Sequence, residues 1–256
     1  AETGSLTTTA PVEAYNEVTL AAGETSVLLR TAITPDTTFE GSESFTLSTG
    51  SISGTVTNTS AATGTGTIVD DGSSSDVFDG TNNTATPTSG TADDDRPSFS
   101  IDDVVVNEGA GTVTLTVTKT GTTNLSSSVN FATADGTADA SDYTAASGTL
   151  TFADTETTKT ITINVTDDSV YEGGETFNVN LSNASGAVIG DAQGQVTIRD
   201  DGQGTGGTDD DRPSFSIDDV EVNEGAGTVT LTVTKTGTTT QTSSVDFATA
   251  DGSAEA

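Results

Sequence analysis

The chain repeats itself, and the repeat governs how it can fold. Asp93 to Asp103 (DDDRPSFSIDD) recurs as Asp209 to Asp219, 116 residues on, and the match resumes through Asn107 to Gly111 against Asn223 to Gly227. A weaker match sets Phe39 to Phe45 (FEGSESF) against Tyr171 to Phe177 (YEGGETF), and Ile68 to Gly72 against Ile198 to Gly202. The N-terminal segment is therefore the back of a unit whose front reappears at the other end. The layout that follows is a back half over 1–72, a linker over 73–92, a complete unit over 93–202, a linker over 203–208 and a front half over 209–256. The longer linker is rich in Ser, Thr, Asn and Gly without periodicity, and it reads as flexible or draped on the surface.

Within the complete unit, runs of Val, Ile, Leu and Phe alternating with Thr, Ser and Asn predict strands. They fall at 98–101 continuing through 104–107, then 112–119, 127–133, 148–152, 159–166, 176–181 and 195–199. Gly, Asn, Asp and Ser punctuate every gap, and no 3.6-residue pattern appears. Seven short strands in about 110 residues predict an all-β chain of tandem immunoglobulin-like antiparallel sandwiches.

Between two of those runs lies Asp167-Asp168-Ser169-Val170-Tyr171-Glu172-Gly173-Gly174-Glu175, four carboxylates with no Lys or Arg among them. The flanking alternation reads as a β-hairpin-like pair with this stretch as its loop. Carboxylates so crowded either rise in pKa or take a cation, and Ca²⁺, a hard ion with about 6 to 8 oxygen ligands, suits them. If successive strands alternate in direction, the loops carrying Glu108, Asp135, Asp139, Asp142, Asp167, Asp168, Glu172, Glu175, Asp200 and Asp201 meet at one pole. The opposite pole carries only Asp154, Glu156 and Asp191. Ordinary turn chemistry accounts for Asp102, Asp103, Asp139 and Asp154, but not for the one-sidedness of the whole set. Glu108, Asp135, Asp167, Asp168, Glu172, Asp200 and Asp201 come from four loops, and their combined charge calls for two or more ions.

Composition narrows the chemistry. With 39 acidic and 7 basic residues the formal charge is −32, which disfavours nucleic acid and anionic membranes as partners and favours divalent cations. The absence of His and Cys removes Ser-His-Asp, Cys-His and zinc chemistry, so an enzyme is not expected. Gly202 to Gly207 lacks the Lys-Ser/Thr of a phosphate loop and reads as a linker. Among several Asn-x-Ser/Thr sequons only Asn82, in the long linker, is a candidate for glycosylation.

In combination, Asn107-Glu108-Gly109, Ala134-Asp135-Gly136-Thr137-Ala138 with Ser141-Asp142-Tyr143, Asp167-Asp168 with Tyr171-Glu172, and Ile198-Arg199-Asp200-Asp201 resemble the Calx-beta domain. That family comprises Ca²⁺-binding sandwiches of sodium/calcium exchangers, integrin β4 and large bacterial surface proteins. The resemblance implies Glu108, Asp135, Asp167, Asp168, Glu172, Asp200 and Asp201 as Ca²⁺ ligands, completed by backbone carbonyls. Exchanger-type members often end in three Asp, whereas here Gly202 stands third. The incomplete units keep fewer candidates: Asp36, Glu40, Asp70 and Asp71 in the first, Glu224 and Asp251 in the last.

The expected function is a calcium-binding structural repeat of an extracellular, secreted or cell-surface bacterial fibre or adhesin. Ions at the pole where the chain leaves a unit would tie down the Asp93–Asp95 and Asp209–Asp211 segments. The alternatives are a Ca²⁺-sensing module of a membrane transporter and an accessory module of a secreted enzyme. The expected partner is another copy of the chain. Val229, Leu231, Val233 and Phe247 of one copy would pack with Leu20, Phe39, Phe45, Leu47 and Ile68 of the next, through domain complementation or through a continuous chain.

Overall fold

Ser98–Ile101 and Val104–Asn107 read as one strand broken at Asp102-Asp103, and the break passes the chain from one sheet to the other. The computed structural model describes residues 20–23, 36–50, 52–54, 56, 61–73 and 93–253. The first unit supplies β1 (Thr38–Phe39), β2 (Glu43–Ser48) and β3 (Thr63–Ile68). The complete unit supplies β4 (Ser98–Ile101), β5 (Val104–Asn107), β6 (Thr112–Thr120), β7 (Thr122–Thr123), β8 (Ser127–Asp135) and β9 (Ser147–Phe152). It continues with β10 (Thr158–Asn164), β11 (Val170–Tyr171), β12 (Gly174–Ser185), β13 (Val188–Ile189) and β14 (Gln193–Arg199). The last unit has β15 (Ser214–Ile217), β16 (Val233–Thr236) and β17 (Thr238–Thr239).

One sheet runs β10-β6-β4-β13 and the other β5-β14-β12-β8-β9, as expected of a sandwich. At the break, Asp102 Oδ1 accepts from Thr116 N of β6 at 2.6 Å and Asp103 Oδ1 from Gln195 N of β14 at 2.7 Å. Each carboxylate thus fastens the turn to one sheet, the local role that turn chemistry predicts. The alternating apolar residues of both sheets meet in one core that includes Phe99, Leu115, Val117, Val129, Phe152, Ile163, Phe177, Val179 and Val196. Burying each such side chain contributes about 1.5–3 kcal/mol.

One expectation needs correction. The runs flanking Asp167 to Glu175 do not form a hairpin-like pair: β10 pairs with β6 in one sheet, β12 with β14 and β8 in the other. The acidic stretch is a crossover between sheets. Two-residue alternation marks each run as half-buried and carries no information on which strand it pairs with.

In the last unit, Val229, Leu231 and Val233 are exposed and Phe247 is 89% exposed, where their equivalents Val113, Leu115 and Val117 are buried. Residues 1–19 and 74–92, with Asn82 and most of the expected long linker, lie outside the described residues. Residues 203–208 are docked, not loose. Thr205 N donates to Val105 O and Asn107 N to Thr205 O, so this stretch runs along the edge of β5. Gly204 (φ +100°) lies so close that a Cβ there would stand 2.5 Å from the Val106 carbonyl carbon. No helix among the described residues is long and apolar enough to cross a membrane.

Candidate cation site

Backbone bonds gather the acidic loops at one end of the sandwich. Asn107 caps the short 3-10 turn Glu108–Ala110, its Oδ1 accepting from Gly109 N. Val165 N donates to Gly111 O, Thr166 N to Asp142 O and Ala138 N to Thr176 O. Glu172 N donates to Asp200 Oδ2 at 2.7 Å. The pole inferred from strand order is therefore a physical surface, and five carboxylates, Glu108, Asp142, Glu172, Glu175 and Asp200, line one concavity in it.

Two groups are tight enough to share an ion. One oxygen each of Asp142, Glu172 and Glu175 lie within 4.8 Å of one another, and so do oxygens of Glu108, Asp209 and Asp211. Asp200 is 2% exposed, and its Oδ1 is enclosed with no donor. Burial, then the charges of Asp168 and Asp200, push Glu108 up to about 8. Burial, then Asp142 and Glu172, push Glu175 up to about 7. Glu172 is raised by burial and then by Asp142, Asp168 and Asp200. The four ion pairs among the described residues lie elsewhere, on Asp94, Glu156, Asp201 and Asp210.

Of the seven carboxylates expected as ligands in this unit, Glu108 and Glu172 sit in the two groups and Asp200 in the wall beside them. Asp168 Oδ1 accepts from Val170 N while its charge raises Glu108 and Glu172, and Asp167 contributes to raising Glu108 and Asp211. Asp135 Oδ1 accepts from Tyr143 Oη at 2.5 Å, and the Tyr143 ring stacks on Phe177 at 3.9 Å. Asp201 turns away, 3.5 Å from Arg199.

Asp142 and Glu175 were assigned to the pole without a ligand role, yet they belong to a tight group. Asp209 and Asp211 open the front half, in a segment expected to be tied down by ions but with no ligand role given to them, and they belong to the other. The signal for Glu175 is its place three residues beyond Glu172 across a Gly-Gly turn; for Asp209 and Asp211 it is the Asp-x-Asp spacing, which puts two carboxylates on one face of an extended segment.

The first unit repeats part of this arrangement. Glu40 N donates to Asp70 Oδ2 at 2.9 Å, as Glu172 N does to Asp200, and Asp70 Oδ1 is enclosed without a donor. Asp36 Oδ1 accepts from Thr38 N, and Glu40 Oε1 accepts from Asn124 Nδ2. Asp71 binds Ser73. In the last unit Glu224 and Asp251 are exposed and join neither group.

The donor set is all oxygen, partly enclosed and strongly negative. It fits a hard divalent cation such as Ca²⁺, which takes carboxylates and carbonyls, better than a soft metal.

A two-sheet sandwich with a carboxylate-lined pole defines a class of cation-binding β-module. The chain belongs to the Calx-beta domain family, whose profile matches residues 10–72, 92–202 and 208–256. Among curated proteins it is similar to the extracellular matrix organizing protein FRAS1 of Homo sapiens, at 36% identity over 138 residues, 50% of this chain and 3% of that protein. It is also similar to sodium/calcium exchanger 1 of Mus musculus, at 46% identity over 79 residues, 30% of this chain and 8% of that protein. The chain thus spans only a small part of either relative. Among solved structures, it resembles the apo-form Calx CBD1 domain at 27% identity and a TM-score of 0.39, covering 40% of this chain and 96% of that one.

Proposed function

We propose that the chain is a calcium-binding structural repeat of an extracellular fibre or adhesin, in which Ca²⁺ holds successive units in a fixed relation. One observation carries the reading: at the pole where each unit hands over to the next, carboxylates converge with no cation side chain paired to the two tight groups, and Asp70 Oδ1, Asp200 Oδ1, Asp209 Oδ2 and Asp211 Oδ2 are enclosed there without a hydrogen-bond donor. Glu108, Asp142, Glu172, Glu175 and Asp200 would hold the ions. The near-identical tandem units support an array, and the similarity to an extracellular matrix protein supports a place outside the cell. With no His or Cys in the sequence, the site is suited to binding and not to catalysis. Another copy is the proposed partner, covering Val229, Leu231, Val233 and Phe247 with the apolar residues of its first unit. A continuous chain carrying further repeats would cover them in the same way. The similarity to the exchanger favours a second reading, a Ca²⁺-sensing module attached to a transporter.

Calorimetry of the full chain with CaCl₂ tests the calcium reading. Two or more ions should bind the complete unit, with Kd in the range of about 10⁻⁴ to 10⁻³ M usual for extracellular modules. No heat and no change of Tm between Ca²⁺ and EGTA would remove it.

A further inference from the structure

The chain leaves the complete unit at Asp200-Asp201, loops through 202–208 and returns antiparallel to itself. Asp201 bridges Asp210, Gly202 N donates to Asp209 O at 2.8 Å, and Asp211 N donates to Asp200 O at 3.0 Å. Asn107, fully buried, pins the return: its Nδ2 donates to Gln203 O and Asp209 O, and its Oδ1 accepts from Asp209 N.

Directly opposed residues of an antiparallel pair point to one face, and their neighbours to the other. Asp201 and Asp210 share the face that carries Arg199 and Arg212, with Asp210 2.6 Å from Arg212. Asp200, Asp209 and Asp211 share the other face, towards Glu108, where no cation side chain pairs with them. There Asp200 Oδ1, Asp209 Oδ2 and Asp211 Oδ2 are all enclosed without a donor.

The same construction closes the first junction across a linker of different length. Asp71 bridges Asp94, Gly72 N donates to Asp93 O and Asp95 N to Asp70 O. Asp94 pairs with Arg96 at 2.8 Å, and Asp70 Oδ1 is again enclosed without a donor. Two junctions, joined by 73–92 and by 203–208, arrive at one geometry.

The geometry points to a divalent cation site shared between consecutive repeats, built from Glu108 and Asp200 of one unit with Asp209 and Asp211 of the next, and echoed at Asp70, Asp93 and Asp95. This rests on the calcium reading above and adds to it that the site is incomplete until the next repeat arrives. Glu172 links this site to the Asp142–Glu175 group, since its N–H holds Asp200.

The test is Ca²⁺ calorimetry on the full chain and on three variants: Asp209→Asn/Asp211→Asn, Glu108→Gln and, as a control on the arginine face, Asp210→Asn. The double variant should lose at least one Ca²⁺ from the stoichiometry or bind it at least tenfold more weakly, and Glu108→Gln should lose the same ion. Combining them should cost no more than either alone, since they remove one shared ion. Asp210→Asn should titrate like the parent. In EGTA the double variant should melt at or above the parent temperature, because repulsion has been removed, which establishes that it is folded. Parent-like stoichiometry and affinity in the folded double variant, or additive losses on combining it with Glu108→Gln, would overturn the shared site while leaving calcium binding within the unit intact. A parent chain that takes up no Ca²⁺ overturns both.

Discussion

Glu108 and Glu175 carry carboxyls that the fold holds protonated well above their ordinary range, up to about 8 and about 7. A carboxyl whose folded pKa is raised stabilises the fold fully below its unfolded pKa of about 4.5, and that contribution is lost as pH rises through the folded value. In EGTA, Tm should therefore fall between pH 5 and pH 8.5. In saturating Ca²⁺ the fall should vanish, because the ion replaces the proton. The carboxylates lowered by hydrogen bonds, Asp71, Asp94, Asp139, Glu156 and Asp210, act in the opposite sense but below about pH 4.5, outside this window. A Tm that rises with pH in EGTA would contradict the crowding. The sequence made part of this site legible: loop order alone put Glu108, Glu172 and Asp200 together. It could not separate Asp200 from Asp201, because only one of two adjacent residues on an extended strand can face the pole. Nor could it separate Asp142, which joins a tight group, from Asp139, which closes a local turn on Ser141.

At the level of elements, the seven strands were legible within a few residues, since each is a run of β-branched and aromatic residues bounded by turn formers. Their partners were not, and the acidic stretch taken for a hairpin loop is a crossover between sheets. The docked return loop was likewise hidden, because a Gly-rich stretch looks the same whether it is free or pressed against a backbone. Contact with β5 makes the difference measurable. Gly204→Ala should lower Tm and weaken Ca²⁺ binding at the junction, because it adds a clash with the Val106 and Asn107 backbone to the strain of positive φ. Gly111→Ala, also at positive φ but with open space around its Cβ, should cost only about 1–2 kcal/mol of left-handed strain. Equal losses measured by chemical denaturation would mean that 203–208 is not docked. At the far pole, Lys119 is 2% exposed and donates to Ala153 O and Asp154 O. Asp154→Ala leaves those carbonyls in place and should not alter Ca²⁺ binding.

For the molecule as a whole, the charge of −32 sets up a self-repulsion that bound cations would relieve. A ligand that binds only the folded state stabilises it by about 2.7 kcal/mol at a hundredfold excess over Kd, so EGTA should lower the Tm of the complete unit by several degrees. Asp200→Asn should blunt that difference by removing a buried acceptor. The units also touch directly. β1 pairs with β7, and β11 with β17, and each pair is capped by threonine hydroxyls: Thr123 and Thr239 Oγ1 donate to Phe39 and Tyr171 O. Each junction is thus held by a short β-pair and an aspartate clamp, and the second also by the contacts of 203–208 with β5. Under tension along the chain, the distance that an opened clamp can add is bounded by the extended length of its linker: about 70 Å for residues 73–92 and about 20 Å for residues 203–208, at roughly 3.4 Å per residue. Two joints of one construction therefore differ in reach, so repeats pulled in series should lengthen in unequal steps, and Ca²⁺ bound at the clamps should raise the force at which those steps begin.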